Sequence, residues 1–461
     1  MEANDQLSEH MPRGNLKGLV IVAIAALAAY ILYLILPYDT NANKGLAILL
    51  FVAILWFTEA VHITITALLV PILAAVVGIP EMDTKKALTG FADPTIYIFF
   101  GGFALATALH IQKLDRKIAL WLISLSKGNL MVAVLLIFGV TAFLSMWISN
   151  TATAAMMLPL AMGMMSHLDK NKDRKIFVFV LLGIAYCASI GGLGTVVGSP
   201  PNAIAAKALG LDFAGWMKHG LPMMLVLLPM MLVSLYLVLR PKFSQSDAVL
   251  SSENIPWTRS RIVALILFVC TALAWIFSSK LKAAFGLTDQ DALIALTAAV
   301  LVVMLGLATW HEVAENTDWG VLLLFGGGIA LSNLLKNSGA SKVLGEQMAS
   351  TFALAHPFIV ILAVAAFIII LTEFTSNTAS AALLVPIFAS VADQMGLPKE
   401  VMVLIIGIGA SCAFMLPVAT PPNAIVFGTG LIRQRDMMTV GGVLNALCIA
   451  VVSLWAYFFL M

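Results

Sequence analysis

Only 11% of the 461 residues are Asp, Glu, Lys or Arg, 61% are hydrophobic, and the mean hydropathy is +1.00. A soluble globule carries about a quarter charged residues to cover its water-facing surface, so this composition excludes one and points to a surface that faces lipid. The net charge of +2 gives no reason to expect a nucleic-acid partner, and Cys187, Cys270, Cys412 and Cys448 lie in apolar stretches without metal-ligand spacing, which suits small buried hydrophobes.

In chain order, about fifteen polar residues come first and lack a signal-peptide pattern. About twenty apolar residues cross a bilayer as a helix. On that measure spans are predicted over 18–36, 45–60, 62–79, 94–111, 176–207, 221–240, 260–280, 289–309, 319–336, 400–430 and 440–460. Two further apolar regions, 129–166 and 357–393, are each long enough for two short helices and are interrupted by Ser149-Asn150-Thr151 and Ser376-Asn377-Thr378. A helical hairpin that enters and leaves by one face satisfies its backbone and sets the polar turn at mid-depth, where irregular backbone must be buried in protein or line a watery cavity.

The basic clusters are Arg13/Lys17, Lys113/Arg116/Lys117/Lys127, Lys170/Lys172/Arg174/Lys175, Arg240/Lys242/Arg259/Arg261 and Arg433/Arg435. With both hairpins non-crossing, all of them fall on one side. Basic loops stay in the cytoplasm, so the expectation is about eleven spans in the plasma (inner) membrane, N-terminus cytoplasmic and C-terminus outside.

The chain repeats itself. DPTIYIFFGGFAL at 93–105 matches DWGVLLLFGGGIA at 318–330, SNTATAAMMLP at 149–159 matches SNTASAALLVP at 376–386, and SPPNAI at 199–204 matches TPPNAI at 420–425. Three matches in one order at nearly equal separations imply duplication. The units are 44–240, with hairpin 129–166 and broken helix 176–207, and 260–461, with hairpin 357–393 and broken helix 400–430; residues 1–43 are an extra segment with the first helix. An odd number of crossings per unit inserts the second copy upside down, and inverted repeats place a transport site between the copies at the midplane. The predicted class is therefore an all-α polytopic inverted-repeat transporter with two re-entrant hairpins and two broken helices.

At each Ser-Asn-Thr tip, helices end and begin, leaving backbone groups without partners. Free N–H groups at a helix start attract anions. Free carbonyls and the oxygens of Ser and Asn suit a hard cation such as sodium, and Asn alone offers both kinds of contact. Ser, Asn and Thr also cap buried helices with no further role, a reading that two symmetry-related copies weaken. The segments 198–202 and 419–423 carry paired prolines, which break a helix in mid-membrane and bring more free backbone groups to the locus; a plain kink is the alternative. None of these four segments contains Lys or Arg. An anion there would be held by hydroxyls, amides and helix starts, each hydrogen bond to charge contributing about 1.5–3 kcal/mol, and a desolvated dianion would need cations beside it.

Glu373 is an intramembrane carboxylate, and both a functional and a packing role stay open. Glu59, His62 and His110 fall near span ends and read as interfacial. The glycines at 191, 192, 194 and 198 suit close helix packing.

The doubled Ser-Asn-Thr motif, each followed by Pro-Pro-Asn about fifty residues on, resembles the divalent anion:sodium symporter family, nearest its bacterial sodium-coupled dicarboxylate transporters, over nearly the whole chain. The resemblance implies one sodium site at Ser145, Ser149, Asn150 and the backbone of Gly198, and a mirror site at Thr372, Ser376, Asn377 and the backbone of Ala419. It implies that Asn150, Thr151, Asn377 and Thr378 hold the two carboxylates, with Ser199 and Thr420 nearby. Family members resemble homodimers of a scaffold and a moving transport domain. Here the hairpins, the broken helices and spans 221–240 and 440–460 would move as an elevator. Exchangers of the family place a basic side chain at a sodium site; neither tip has one, which favours sodium symport. The expected function is import of a C4-dicarboxylate such as succinate, malate or fumarate, with sodium ions as the coupling ion. A channel with paired re-entrant loops, and a family member that carries citrate or sulfate or exchanges anions, are the alternatives. No nucleophile–base pair suggests an enzyme.

Overall fold

The computed structural model describes residues 16–243, 253, 255–286, 289–352 and 355–461. Arg13 and most of the polar N-terminal stretch lie outside the described residues. The described chain is all-α, without strands. Its principal helices are α1 (Leu16–Ile35), α2 (Thr40–Thr58), α3 (Ile63–Val77), α4 (Pro94–Ile111), α5 (Leu130–Ser145), α6 (Asn150–Met164), α7 (Arg174–Gly191), α8 (Pro200–Leu209) and α9 (Phe213–Leu239). They continue with α10 (Arg259–Ile276), α11 (Gln290–Met304), α12 (Trp319–Ser338), α13 (Pro357–Leu371), α14 (Asn377–Met395), α15 (Lys399–Gly409), α16 (Pro421–Phe427) and α17 (Gln434–Phe459).

Among the described residues, 9 helices are long and apolar enough to cross a membrane, fewer than the eleven expected. The difference has three sources. Regions 62–79 and 289–309 form helices of 15 residues, α3 and α11, shorter than a full crossing. Region 400–430 divides into α15 and α16, of 11 and 7 residues. The helix after the second polar tip, α14, reaches 19 residues and qualifies alone, whereas its counterpart α6 has 15. Short helices that hydropathy does not mark, Leu114–Ser124 and Ala340–Thr351, follow α4 and α12.

α7 and α15 lie at the centre. Every residue from Ile176 to Gly191 and from Val401 to Gly409 is buried, as a helix apolar on all sides requires. The packing criss-crosses between the sequence-related halves: α4 lies against α11 and α12 against α3, while α8 packs on α14 and α16 on α6. Helices α4, α8, α13 and α16 start with proline, whose missing N–H has no partner at that position in any case.

Candidate functional site

Both polar tips are helix starts. Ser149 Oγ accepts from the Ala152 N–H at 3.2 Å, and Ser376 Oγ from the Ala379 N–H at 3.4 Å, so each serine caps the helix that its asparagine opens. Both Pro-Pro-Asn segments also begin helices after a stretch of non-helical backbone. Asn202 Nδ2 donates to the Gly192 and Thr195 carbonyls, each at 2.7 Å, and Asn423 Nδ2 donates to Ala413 and Leu416 at 3.2 and 3.0 Å. These asparagines are fully buried, and their amide nitrogens tie the backbone of the breaks to the helices that follow.

The two tips and two breaks line one cavity of about 1150 Å³. Asn150, Thr151, Ser199, Asn377, Thr378 and Thr420 all line it, as do Ser149, Gly198, Ser376 and Ala419. Ser145 and Thr372 do not; they lie fully buried behind the tips. The lining contains no Lys or Arg, and its charged residues are Glu59, Asp115 and Asp318. Glu59, His62 and His110, expected at the interface, line the same cavity at helix ends.

Behind each tip lies an oxygen cluster, and the two clusters correspond. Ser145 Oγ is 2.7 Å from Asn150 Oδ1 and 2.6 Å from the Ala188 carbonyl. Thr372 Oγ1 is 2.5 Å from Asn377 Oδ1 and 3.0 Å from the Ala410 carbonyl. A hydroxyl has one hydrogen and cannot donate to two oxygens at once. In the first cluster the Asn150 amide oxygen faces only acceptors, including Gly198 O, and its nitrogen faces only donors; the rotated amide would bring its two N–H groups within reach of Gly198 O at 3.2 Å, Ala188 O at 3.0 Å and Ser145 Oγ at 2.7 Å. The rotated orientation satisfies both ends of the amide. A cation on the oxygen side and an anion on the nitrogen side would reverse that preference. Neutral hydroxyl, amide and carbonyl oxygens suit a hard cation, and among the described residues no three His, Cys, Asp or Glu side chains converge as a metal site.

The Ala188 and Ala410 carbonyls were not anticipated, because backbone oxygens leave no side-chain signal. Gly192 was assigned to helix packing, but a Cβ there would lie 2.5 Å from Asn150 Oδ1 and 3.0 Å from Gly198 O. Gly192→Ala is therefore expected to push the Asn150 amide out of the cluster and, if the cluster holds a sodium ion, to raise the sodium concentration for half-maximal uptake by about tenfold or more, taking a displaced ligand as about 1.4 kcal/mol or more. A sodium titration of uptake checks this; an unchanged curve would mean that Asn150 is not a sodium ligand.

Glu373 packs into the second break and does not line the cavity. Its Oε1 accepts from the N–H groups of Phe414 and Met415 at 2.7 and 2.9 Å and from Asn445 Nδ2 at 2.7 Å, and Oε2 accepts from the Leu416 N–H at 3.0 Å. Of the two roles left open, the geometry supports the structural one: the carboxylate pairs N–H groups of the non-helical backbone between α15 and α16, buried donors that would otherwise lack partners.

Comparison with known proteins places this arrangement. The sodium:sulfate symporter transmembrane region matches residues 16–461. An uncharacterized transporter of Haemophilus influenzae is 54% identical over 97% of this chain and 98% of its own length. The sodium-dependent dicarboxylate transporter SdcS of Staphylococcus saprophyticus is 33% identical over 96% of this chain and 91% of its own. Among solved structures, the YdaH transporter of Alcanivorax borkumensis has a similar fold, with a TM-score of 0.55 at 14% identity over 90% of this chain and 98% of that one. With the mirrored motifs, the shared cavity and a match that runs from α1 to the last residue, the chain belongs to the sodium:sulfate symporter family of multi-pass membrane transporters.

Proposed function

We propose that this transporter is a sodium-coupled symporter that brings C4-dicarboxylates such as succinate, malate or fumarate into the cytoplasm. The observation that carries the reading is the pair of corresponding oxygen clusters, Ser145–Asn150–Ala188 and Thr372–Asn377–Ala410, each at the back of a tip that lines the common cavity. A sodium ion at each cluster would take the asparagine oxygen as a ligand, with Gly198 O and Ala419 O beside them. The asparagine nitrogens, with Thr151 and Thr378, would then face the carboxylates, and Ser199 and Thr420 would complete the lining.

Rotation of the Asn150 amide links the two cargoes. Without sodium the amide nitrogen would lie within reach of Gly198 O, Ala188 O and Ser145 Oγ, and its two N–H groups would be spent on these oxygens. With sodium they are released into the cavity. A lining without Lys or Arg leaves a dianion uncompensated until the cations arrive, so each cargo favours binding of the other. The sodium-dependent dicarboxylate transporters among the relatives support the same substrate class.

The two halves are read as inverted repeats, with the N-terminus in the cytoplasm of a plasma-membrane protein and the C-terminus outside. A homodimer whose hairpins, broken helices, α9 and α17 move as an elevator follows from the family resemblance. Proteoliposomes with an inward sodium gradient are expected to accumulate labelled succinate above its external concentration, with malate and fumarate competing. Equal uptake without sodium would sink the symport reading, downhill equilibration alone would indicate a channel, and competition by citrate or sulfate alone would move the substrate to another anion.

A further inference from the structure

The corresponding ends of the two halves are closed unequally. Asp93 caps α4 by accepting from the Thr95 N–H at 2.9 Å, and its other carboxylate oxygen pairs with Lys207 Nζ of α8 at 2.7 Å. Beside this pair, Asp291 at the start of α11 accepts from the Phe213 N–H at the start of α9 at 2.8 Å. Trp147 of the first tip stacks on Phe213 with centroids 6.1 Å apart and meets Phe268 of α10 edge-on at 5.2 Å. These contacts join two sets of helices: α4, α10 and α11 on one side, and the first tip with α8 and α9 on the other.

None of this recurs at the matching positions of the second half. Asp318, the counterpart of Asp93, lines the cavity and has no ion pair among the described residues. Gly428 stands where alignment of the Pro-Pro-Asn motifs places the partner of Lys207. Phe374, which matches Trp147, is 70% exposed and lines the cavity, and Val418 beside the second break is 82% exposed there.

We infer that the Asp93–Lys207 ion pair, backed by the Trp147–Phe213–Phe268 stack, is a latch that holds the Asp93 end of the site shut while the cavity gives access from the Asp318 end. The inference rests on the transport reading above, because a transporter must open its site to each side in turn. The two helix sets then part at Asp93 and close at Asp318, covering Phe374 and Val418. With glycine in place of a second lysine, that other closed state has no matching ion pair, so the latch biases the resting population toward the state seen here.

Cysteine accessibility tests this. Cys270 is exposed and is replaced by Ser, while the other three native cysteines are buried. Ala206→Cys, at a position 3% exposed beside Lys207, reports opening at the Asp93 end, and Val418→Cys reports the Asp318 end. Asp93→Asn keeps the capping oxygen and removes only the charge. Lys207→Ala and Asp93→Asn are each expected to raise labelling of Ala206→Cys by a membrane-impermeant maleimide about two- to fivefold, the range for one partly exposed ion pair, and to lower labelling of Val418→Cys from the other face. The double variant should label no faster than either single one. Unchanged labelling in both single variants, or fully additive effects, would overturn the latch. Succinate uptake in the same vesicles separates the two readings: uptake without a labelling shift sinks the latch alone, and a shift without uptake sinks the substrate assignment alone.

Discussion

Replacing Asn150 by Ala is expected to lower sodium-driven succinate uptake by at least about a hundredfold, and replacing Asn377 by Ala to do the same. Each asparagine stands between a cluster of oxygens and the cavity, so on the proposed reading truncation would remove a cation ligand and donors to the anion together. One hydrogen bond to a charged group contributes about 1.5–3 kcal/mol, and about 1.4 kcal/mol is a factor of ten in affinity, so two lost contacts reach a hundredfold. The side chains are half-buried at the first positions of α6 and α14, where alanine is compatible with a helix, so the purified variants should melt near the wild type. Asn150→Asp separates the two roles, since it keeps the oxygen and replaces the N–H donors by a negative charge. It should still bind sodium while losing succinate. Uptake in proteoliposomes checks the first claim, and uptake above a tenth of wild type in both alanine variants would remove the tips from the site.

Glu373→Ala is expected to be the most destabilising single change near the cavity. It would orphan the N–H groups of Phe414, Met415 and Leu416 and the amide of Asn445, and each buried donor left unpaired costs about 1–3 kcal/mol. The carboxylate is 2% exposed, so bulk water does not replace it. The expected outcome is a fall of about 5 °C or more in the thermal midpoint of the detergent-solubilised protein, with uptake lost because α16 and Thr420 are no longer held. Glu373→Met installs the residue that the first half has at the matching position, Met146. It should not rescue, because the backbone donors of 414–416 remain. Wild-type melting of both variants would return Glu373 to the list of functional carboxylates.

Much of the architecture was legible because duplication left three readable matches and because lipid leaves few ways to hide a charge. The tips and the broken helices stood out as polar or proline-bearing interruptions in apolar runs. Helix length did not. Residues 62–79 read as a full span, yet α3 ends at Val77 with Gly78 in the left-handed region (φ 74°) and has 15 residues. Nor did hydropathy show that α15 stops at Gly409 and leaves eleven residues of other backbone before Pro421; the buried Glu373 that pairs those amides lies in another segment. The polar side chains that line the cavity were legible by motif, whereas the Ala188 and Ala410 carbonyls were not, since only the fold brings them to Ser145 and Thr372. The rim carboxylate Asp318 was hidden by its ordinary place as a helix cap, and Asp115, which pairs with His110 at 3.0 Å, by its place in a basic loop.

The central claim is that two corresponding oxygen clusters take sodium and thereby create the anion site between them. Binding of labelled sodium to the purified protein, with and without succinate, tests it most directly in the wild type, Ser145→Ala, Thr372→Val and the double variant. Each single variant is predicted to weaken sodium binding and the double variant to abolish it, with succinate tightening sodium binding only where both clusters are intact. Wild-type sodium binding by the double variant, or succinate bound equally well without sodium, would contradict the account.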